Sequence, residues 1–461
     1  MQLNYEKKNI WNNVSENELK EIFEYSERYK DFLDHAKIER EATETIIKKA
    51  VENGYISLEE ALKGKIKKGD KIYLNNKNKS VVMMVVGNDI TEGMHILGSH
   101  LDSPRLDLKQ NPLFEEGHMA YFKTHYYGGV KKYQWTTMPL ALHGTAITKD
   151  GKKLNFAIGE KEEDPVFYIT DLLIHLSKDQ RKKSMDEGIT GEQLNVIIGH
   201  NSYKAKDDSK NPIKDNILEY LNKEYGIVEE DFLVAELTVV PAGKSRDVGF
   251  DKALIASYGH DDKVCAYASL EAILKVENPE KTAVSLFVDK EEIGSVGNAS
   301  MGANFFQNMV AEVLNNQIEN YSDVLLRRAF ANSKVLSADV TVAYDPSFSE
   351  VVEKNNVSLL GHGVTLSKYT GSGGKFGSND ANSEFLQELR VLFDENNIVW
   401  QTGELGKIDQ GGGGTIAFIL AAYGAEVVDI GTGMLSMHAP IELLSKADAY
   451  MTSKAYEVFV K

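Results

Sequence analysis

Short apolar runs separated by helix-length stretches constrain this chain more than any other feature. VVMMVVG (81–87), MHILGSH (94–100), AVSLFV (283–288), SKVLSADVTVAY (333–344) and AEVVDIG (425–431) are rich in Val, Ile, Leu and Met. A strand with one wet face alternates apolar and polar residues, so a nearly unbroken apolar strand needs cover on both faces. ALIASYG (253–259) is a further strand candidate and leads into the Ala-rich helical stretch VCAYASLEAILKV (264–276). AVSLFV is followed by a turn and then by the helical stretch NFFQNMVAEVLNNQI (304–318). Strands alternating with helices predict an α/β fold, a mostly parallel sheet sandwiched by helices. The first 62 residues read as helical, with Ser15 and Glu18 spaced as a capping box. The segment after Pro440, IELLSKADAYMTSKAYEVFVK, reads as a closing amphipathic helix.

Residues 106–243 have a different texture. Short aromatic and polar segments such as HMAYFKTHYYGGVKKYQW and PLALHGTAIT alternate with turn residues, and YKAKDDSKNPIKDN (203–216) is strongly polar. This predicts a β-rich domain, 106–243, inserted between two parts of an α/β domain, 1–105 and 244–461. The whole chain, 461 residues, is long enough for that division. Fifty-two basic residues against sixty-nine acidic ones give a net charge of −17. No general nucleic-acid binder is built that way, and an anionic membrane surface is an equally poor partner. A single cysteine, Cys265, excludes an internal disulfide and fits a reducing compartment. The start, MQLNYEKKNIWNNVSENELK, lacks the apolar core of a signal peptide, and no run approaches about 18 apolar residues. A cytoplasmic location is expected.

Residues with chemistry collect where the apolar runs stop. His100 ends MHILGSH, and Asp102 follows two positions later, on the same side of an extended segment. An aspartate there can orient an imidazole toward a metal, or serve as a cap. His260, Asp261 and Asp262 lie between a strand and a helix; the acids can cap the helix, or one can bridge two metal ions. Glu291 and Glu292 follow AVSLFVDK, so one can ligate while its neighbour acts as general base, or both can lie on a solvated loop. Asp339 and His438 complete the set. Together they place two histidines and three carboxylates at the ends of separate strands, where sites form in open α/β sheets. A two-metal centre would then give each ion one imidazole, one private carboxylate and the shared aspartate. The mixed nitrogen and oxygen donors suit Zn²⁺, with Co²⁺ or Mn²⁺ as possible substitutes.

SHLDSPRLDLK, GHDDKVCAY, DKEEIGSVGNASMGA, LSADV and LSMHAPIE resemble, in the same order, the motifs of the aspartyl aminopeptidase and vacuolar aminopeptidase I family. The resemblance spans nearly the whole chain. It implies a dizinc aminopeptidase that releases single N-terminal residues from peptides with a free N-terminus. The inserted β-domain would serve oligomerisation into a tetrahedral homododecamer. His100, Asp261 and Asp339 would hold one zinc and Asp261, Glu292 and His438 the other. Glu291 would be the general base and Asp102 would orient His100. A cis peptide is expected at Asp261–Asp262. His175, in DLLIHL, would enter a neighbouring subunit's site and stabilise an oxyanion; without the resemblance it reads as a buried histidine on an apolar helix face.

Two departures stand out. The family often has Asp-Asn where this chain has Asp261-Asp262, and a Leu or similar residue where it has His260. Lys368, just before the glycine-rich stretch YTGSGGKFGSNDANSE (369–384), and Lys375, within it, are candidates for pairing with an acidic substrate side chain, or are solvated loop lysines. Broad specificity is therefore expected. GGGGT (411–415) lacks the Lys-Ser/Thr of a phosphate loop and reads instead as a close backbone approach. The rival readings are a dizinc deacylase or carboxypeptidase of related fold, and a non-catalytic scaffold.

Overall fold

Thr282–Val288, Met94–His100, Lys334–Ser337 and Glu426–Gly431 lie side by side and parallel. They form the centre of a nine-stranded sheet in the computed structural model, which describes residues 3–203 and 209–461. Residues 204–208 of the polar stretch lie outside the described residues. Antiparallel strands extend the sheet on each side: Ser80–Val85 beside Thr282–Val288, and Val364–Ser367 beside Glu426–Gly431. Because successive side chains point to opposite faces, each apolar run feeds two cores. Val81, Met83, Leu97 and Phe287 face the helices Glu16–His35, Glu39–Glu52, His260–Leu274 and Lys446–Val460. Val82, Met84, Ile96 and Leu286 face Phe305–Gln317 and Asp323–Ala331. The expected α/β sandwich is what the chain forms.

Two contact-defined units divide the chain. The first comprises Met1–Asp102, Ser245–Met437 and Glu442–Lys461; the second comprises Ser103–Lys244 and His438–Ile441. Within the second, six mostly antiparallel strands run in the order Lys153–Ile158, Leu140–Ile147, Glu236–Pro241, Arg105–Glu116, Met119–Tyr127 and Val196–Gly199. The helix Pro212–Tyr225 belongs to the same unit.

Three details of the first unit differ from the sequence reading. Leu254–Ser257 joins a separate five-stranded sheet, paired antiparallel with Glu442–Ser445, instead of the central one. SKVLSADVTVAY splits: Lys334–Ser337 is in the central sheet, while Thr341–Val342 belongs to the smaller one. The tail starts as the strand Glu442–Ser445, and its helix is buried on nearly every residue, so it is not a two-faced surface helix. That helix packs against the Ala-rich one, where Ala266, Ala268 and Ala272 meet Ala447, Ala449 and Ala455 in one core. Small side chains let two buried helices approach closely.

The price of burying the tail helix falls on Lys446, which is completely enclosed. Its Nζ lies 2.8 Å from Asp247 Oδ1 and 4.5 Å from the centre of the Phe23 ring. Lys30 Nζ is also 2.8 Å from Asp247 Oδ1. Burial pushes the Asp247 carboxyl up, but the two lysines outweigh it and hold it below the ordinary aspartate range. Among the described residues, Asp247→Ala leaves the ammonium with Glu27, 3.9 Å away, and the Phe23 ring. We expect a loss of about 3 kcal/mol, read from the urea midpoint. A depressed pKa stabilises above the unfolded value, about pH 4, and the benefit disappears as pH falls through the folded value. The stability gap between wild type and Asp247→Asn should therefore be full at pH 6 and narrow below about pH 4.

Candidate metal centre

The three strands Thr282–Val288, Met94–His100 and Lys334–Ser337 are neighbours, so the residues just past their ends are neighbours as well. His100 ends the middle strand. Glu291 and Glu292 follow the strand on one side, and Asp339 follows the strand on the other. Asp261 arrives from the smaller sheet, at the start of the helix packed over the central strand. Donor atoms of His100, Glu291 and Asp339 lie within 4.8 Å of one another, and so do those of His100, Asp261 and Glu292. His100 Nε2 is 3.2 Å from Asp261 Oδ1 and 3.8 Å from Asp339 Oδ1. One imidazole thus faces several carboxylates.

That crowding perturbs several of the groups. Burial disfavours the charged form of His100, but hydrogen bonds to Asp102, Asp261 and Asp339 outweigh it and raise its pKa well above 6.5. Glu291 is pushed up to about 8, first by burial and then by the charges of Asp339, Asp102 and Asp261, with His100 opposing. Asp339 is raised by burial against the pull of His100. Asp262 is raised well above its usual range by burial and by Asp339. Carboxylates gathered in this way call for a cation, and their oxygens plus one imidazole form a donor set that zinc accepts.

The supports around these donors are equally specific. His100 Nδ1 is 3.0 Å from the Asp102 carbonyl and 3.4 Å from the Asp102 carboxylate. Donation there leaves Nε2 as the ligating nitrogen. The Asp102 carboxylate has a second task that the sequence did not disclose: it accepts the backbone N–H groups of Glu291 and Glu292, each at 3.1 Å. Lys290, in the left-handed region at φ 68°, starts the short turn carrying both glutamates. The Asp261–Asp262 peptide is cis, as expected. Glu442, also unassigned by the sequence reading, is buried and accepts the Asp261 N–H at 3.1 Å. Its only signal was its place at the end of the LSMHAPIE motif. Tyr29, on the helix Glu16–His35, reaches His260 Nδ1 at 2.8 Å. Burial keeps His260 neutral, its pKa pushed down to about 3.

The remaining candidates have surroundings of their own. His438 falls in the segment belonging to the second unit, where its Nδ1 is 3.1 Å from the Gly129 carbonyl oxygen. His175 is exposed on the short turn Ile174–Leu176, so it is not a buried histidine on a helix face. Lys368 is exposed. Lys375 Nζ lies 3.0 Å from Asp380 and 3.8 Å from the centre of the Tyr369 ring, so an acid of its own loop already pairs with it. In GGGGT, a Cβ on Gly412 would stand 1.6 Å from the Gly371 carbonyl oxygen. The two glycine-rich segments touch backbone to backbone, and Thr415 anchors the second by donating to Asp429 at 2.5 Å.

Residues 32–460 match the family described as aminopeptidase I zinc metalloprotease, M18. The chain belongs to the M18 family of zinc aminopeptidases. It is 49% identical over 459 residues to a probable M18 family aminopeptidase 1 of Clostridium acetobutylicum, covering 99% of this chain and 98% of that one. The crystal structure of an M18 aminopeptidase from Thermotoga maritima superimposes with a TM-score of 0.95 at 41% identity, covering 99% of this chain and all of that one. The structure of the S. cerevisiae mApe1 dodecamer shares the fold at 20% identity, with a TM-score of 0.76 over 95% of this chain and 97% of that one. As an M18 aminopeptidase the chain is a zinc metallopeptidase, a hydrolase.

Asp102 ties the imidazole and the two glutamates of this M18 centre together. Asp102→Ala should release the turn at Glu291 and Glu292 and weaken zinc binding by about 10–100-fold. Competition with a chromophoric chelator measures it; unchanged affinity would show that the turn holds without Asp102.

Proposed function

We propose that this M18 aminopeptidase uses two zinc ions per subunit to remove single N-terminal residues from peptides. The observation that carries the reading is the gathering of His100, Asp261, Asp339, Glu291 and Glu292 past the ends of neighbouring strands. Its support is the family to which the chain belongs.

In this reading His100, Asp261 and Asp339 would hold one ion. Asp261 and Glu292 would hold the other, with Asp261 shared, and the resemblance to the family assigns His438 to that second ion. The zinc ions, when bound, supply the Lewis acidity that polarises the scissile carbonyl and acidifies a water; Co²⁺ or Mn²⁺ can substitute. Glu291 takes the proton of the attacking water and returns it to the leaving amine. Its place beside His100 and Asp339, half-buried and with its pKa pushed upward, suits a proton acceptor that must later donate. Asp102 keeps the His100 ring and the glutamate turn in register. A carboxylate of the site, or a metal, would receive the substrate's free α-amine, which makes the enzyme an aminopeptidase and not a deacylase or carboxypeptidase. Lys368 and Lys375 are the proposed contacts to an acidic substrate side chain. Lys375 must leave Asp380 to make one, so aspartate preference should be weak and specificity broad.

His175 is assigned to a neighbouring subunit's site, where it stabilises the oxyanion of the tetrahedral intermediate. The exposed apolar side chains around it support this. Leu172, Leu173, Ile174 and Leu176 are each about half exposed or more, at 47%, 55%, 61% and 68%. A cluster of that kind is normally covered by a partner. The 106–243 domain then mediates assembly into a tetrahedral homododecamer, a chamber that admits peptides and excludes folded proteins. The described residues include no helix long and apolar enough to cross a membrane. We assign the enzyme to the cytoplasm.

One experiment tests base and trans residue together. Glu291→Gln should keep both metals and lose about 10²–10⁴-fold in turnover. His175→Ala should lose turnover with its metal site intact. Mixed oligomers of the two variants should recover activity, because some sites then pair an intact Glu291 with an intact His175. Full activity of Glu291→Gln would sink the base assignment, and no recovery on mixing would sink the trans arrangement.

A further inference from the structure

His260 is the departure from the family's sequence that the reaction leaves unused. It is fully buried, next to Asp261, and could be mistaken for a third imidazole ligand. Its hydrogen bonds say otherwise. Nε2 lies 3.2 Å from the Ile255 carbonyl oxygen, and Nδ1 lies 2.8 Å from the Tyr29 hydroxyl. A carbonyl only accepts, so Nε2 carries the hydrogen and Nδ1 accepts from Tyr29. Both ring nitrogens are engaged, and neither has a lone pair left for a metal.

What this arrangement fixes is the backbone. Gly259, in the left-handed region at φ 74°, turns the chain out of Leu254–Ser257. The next three residues are each held by a different part of the unit. His260 is tied to the helix Glu16–His35 through Tyr29 and to the preceding strand through Ile255. The Asp261 N–H donates to Glu442, on the strand Glu442–Ser445. The Asp262 carboxylate accepts the His100 N–H at 3.3 Å, from the central sheet. Asp261 itself has φ −78° and ψ 110°, a non-helical conformation at the head of a helix. Left to the helix, its carboxylate would point elsewhere. The Tyr29 ring also packs beside the imidazole, with centroids 5.7 Å apart.

We propose that His260 and Tyr29 are positioning residues that hold the backbone of Asp261, so that one carboxylate can serve two metal ions. The inference rests on the two-metal reading of Asp261 and adds to it a device reaching back to the first long helix. It makes the geometry of the metal pair depend on a hydroxyl that touches neither ion.

Cobalt(II) is the probe, because its visible spectrum reports ligand geometry directly. Full-length wild type, Tyr29→Phe and His260→Phe are compared for cobalt stoichiometry, dissociation constants, the spectrum of the loaded protein, and the melting temperature of the metal-free chain. Tyr29→Phe removes one oxygen and keeps the ring. It should weaken the cobalt pair by about 10-fold and shift the spectrum, and His260→Phe should weaken it by up to about 100-fold. A structural role alone would lower the metal-free melting temperature and leave affinity and spectrum at the wild-type values; that result overturns the proposal. If His260→Phe does not fold, Tyr29→Phe decides. A wild-type chain that takes up no cobalt pair would bring down the two-metal reading itself, and the positioning role with it.

Discussion

Five carboxylates, those of Asp102, Asp261, Glu291, Glu292 and Asp339, stand around the single imidazole of His100. Buried negative charge is costly unless a cation or several hydrogen-bond donors compensate it. Where donors are supplied, they come from the backbone: the Glu291 and Glu292 amides to Asp102, and the His100 amide to Asp262. Burial nevertheless raises the pKa values of Glu291, Asp339 and Asp262. The rest of the first unit can be understood as the apparatus that forces these groups together. Three adjacent parallel strands set their spacing, and two helical layers keep water from the strands beneath them.

The site is also layered outward. The donors are held by Asp102, Glu442 and Asp262. Those are joined by His260 and Tyr29, which connect the backbone beside Asp261 to the Glu16–His35 helix. Farther out, Lys446, Asp247 and Lys30 bind the tail helix to that same helix. The first helix therefore participates in both the stability of the core and the geometry of the centre. A sequence-level reading would give it only the first role.

What could be read from the chain and what could not divide along physical lines. Unbroken apolar runs announce strands covered on both faces, so the central sheet and its chemistry-bearing ends were legible, and five separated motifs made the family legible too. A short apolar run does not say which sheet it joins: Leu254–Ser257 and Thr341–Val342 have the composition of central strands but pair elsewhere. DLLIHL looked like a buried helix face because its apolar residues suggest burial, yet among the described residues most of them stay exposed. Tyr29 was invisible because its partner is 231 residues away. Asp102 read as an orienter of His100, while its contacts to two backbone amides depend on the neighbouring strand's turn. Local pattern reports which face a side chain takes; it does not report a tertiary partner.

The central claim is that this centre hydrolyses the bond next to a free N-terminus by metal-dependent chemistry. The most direct measurement is amino-acid release from a panel of peptides alongside N-acetylated copies, before and after chelator, and again after zinc is restored. The account predicts release from the free-amine peptides only, lost on chelation and recovered with zinc. Cleavage of the acetylated copies, or release that persists in excess chelator, would contradict it.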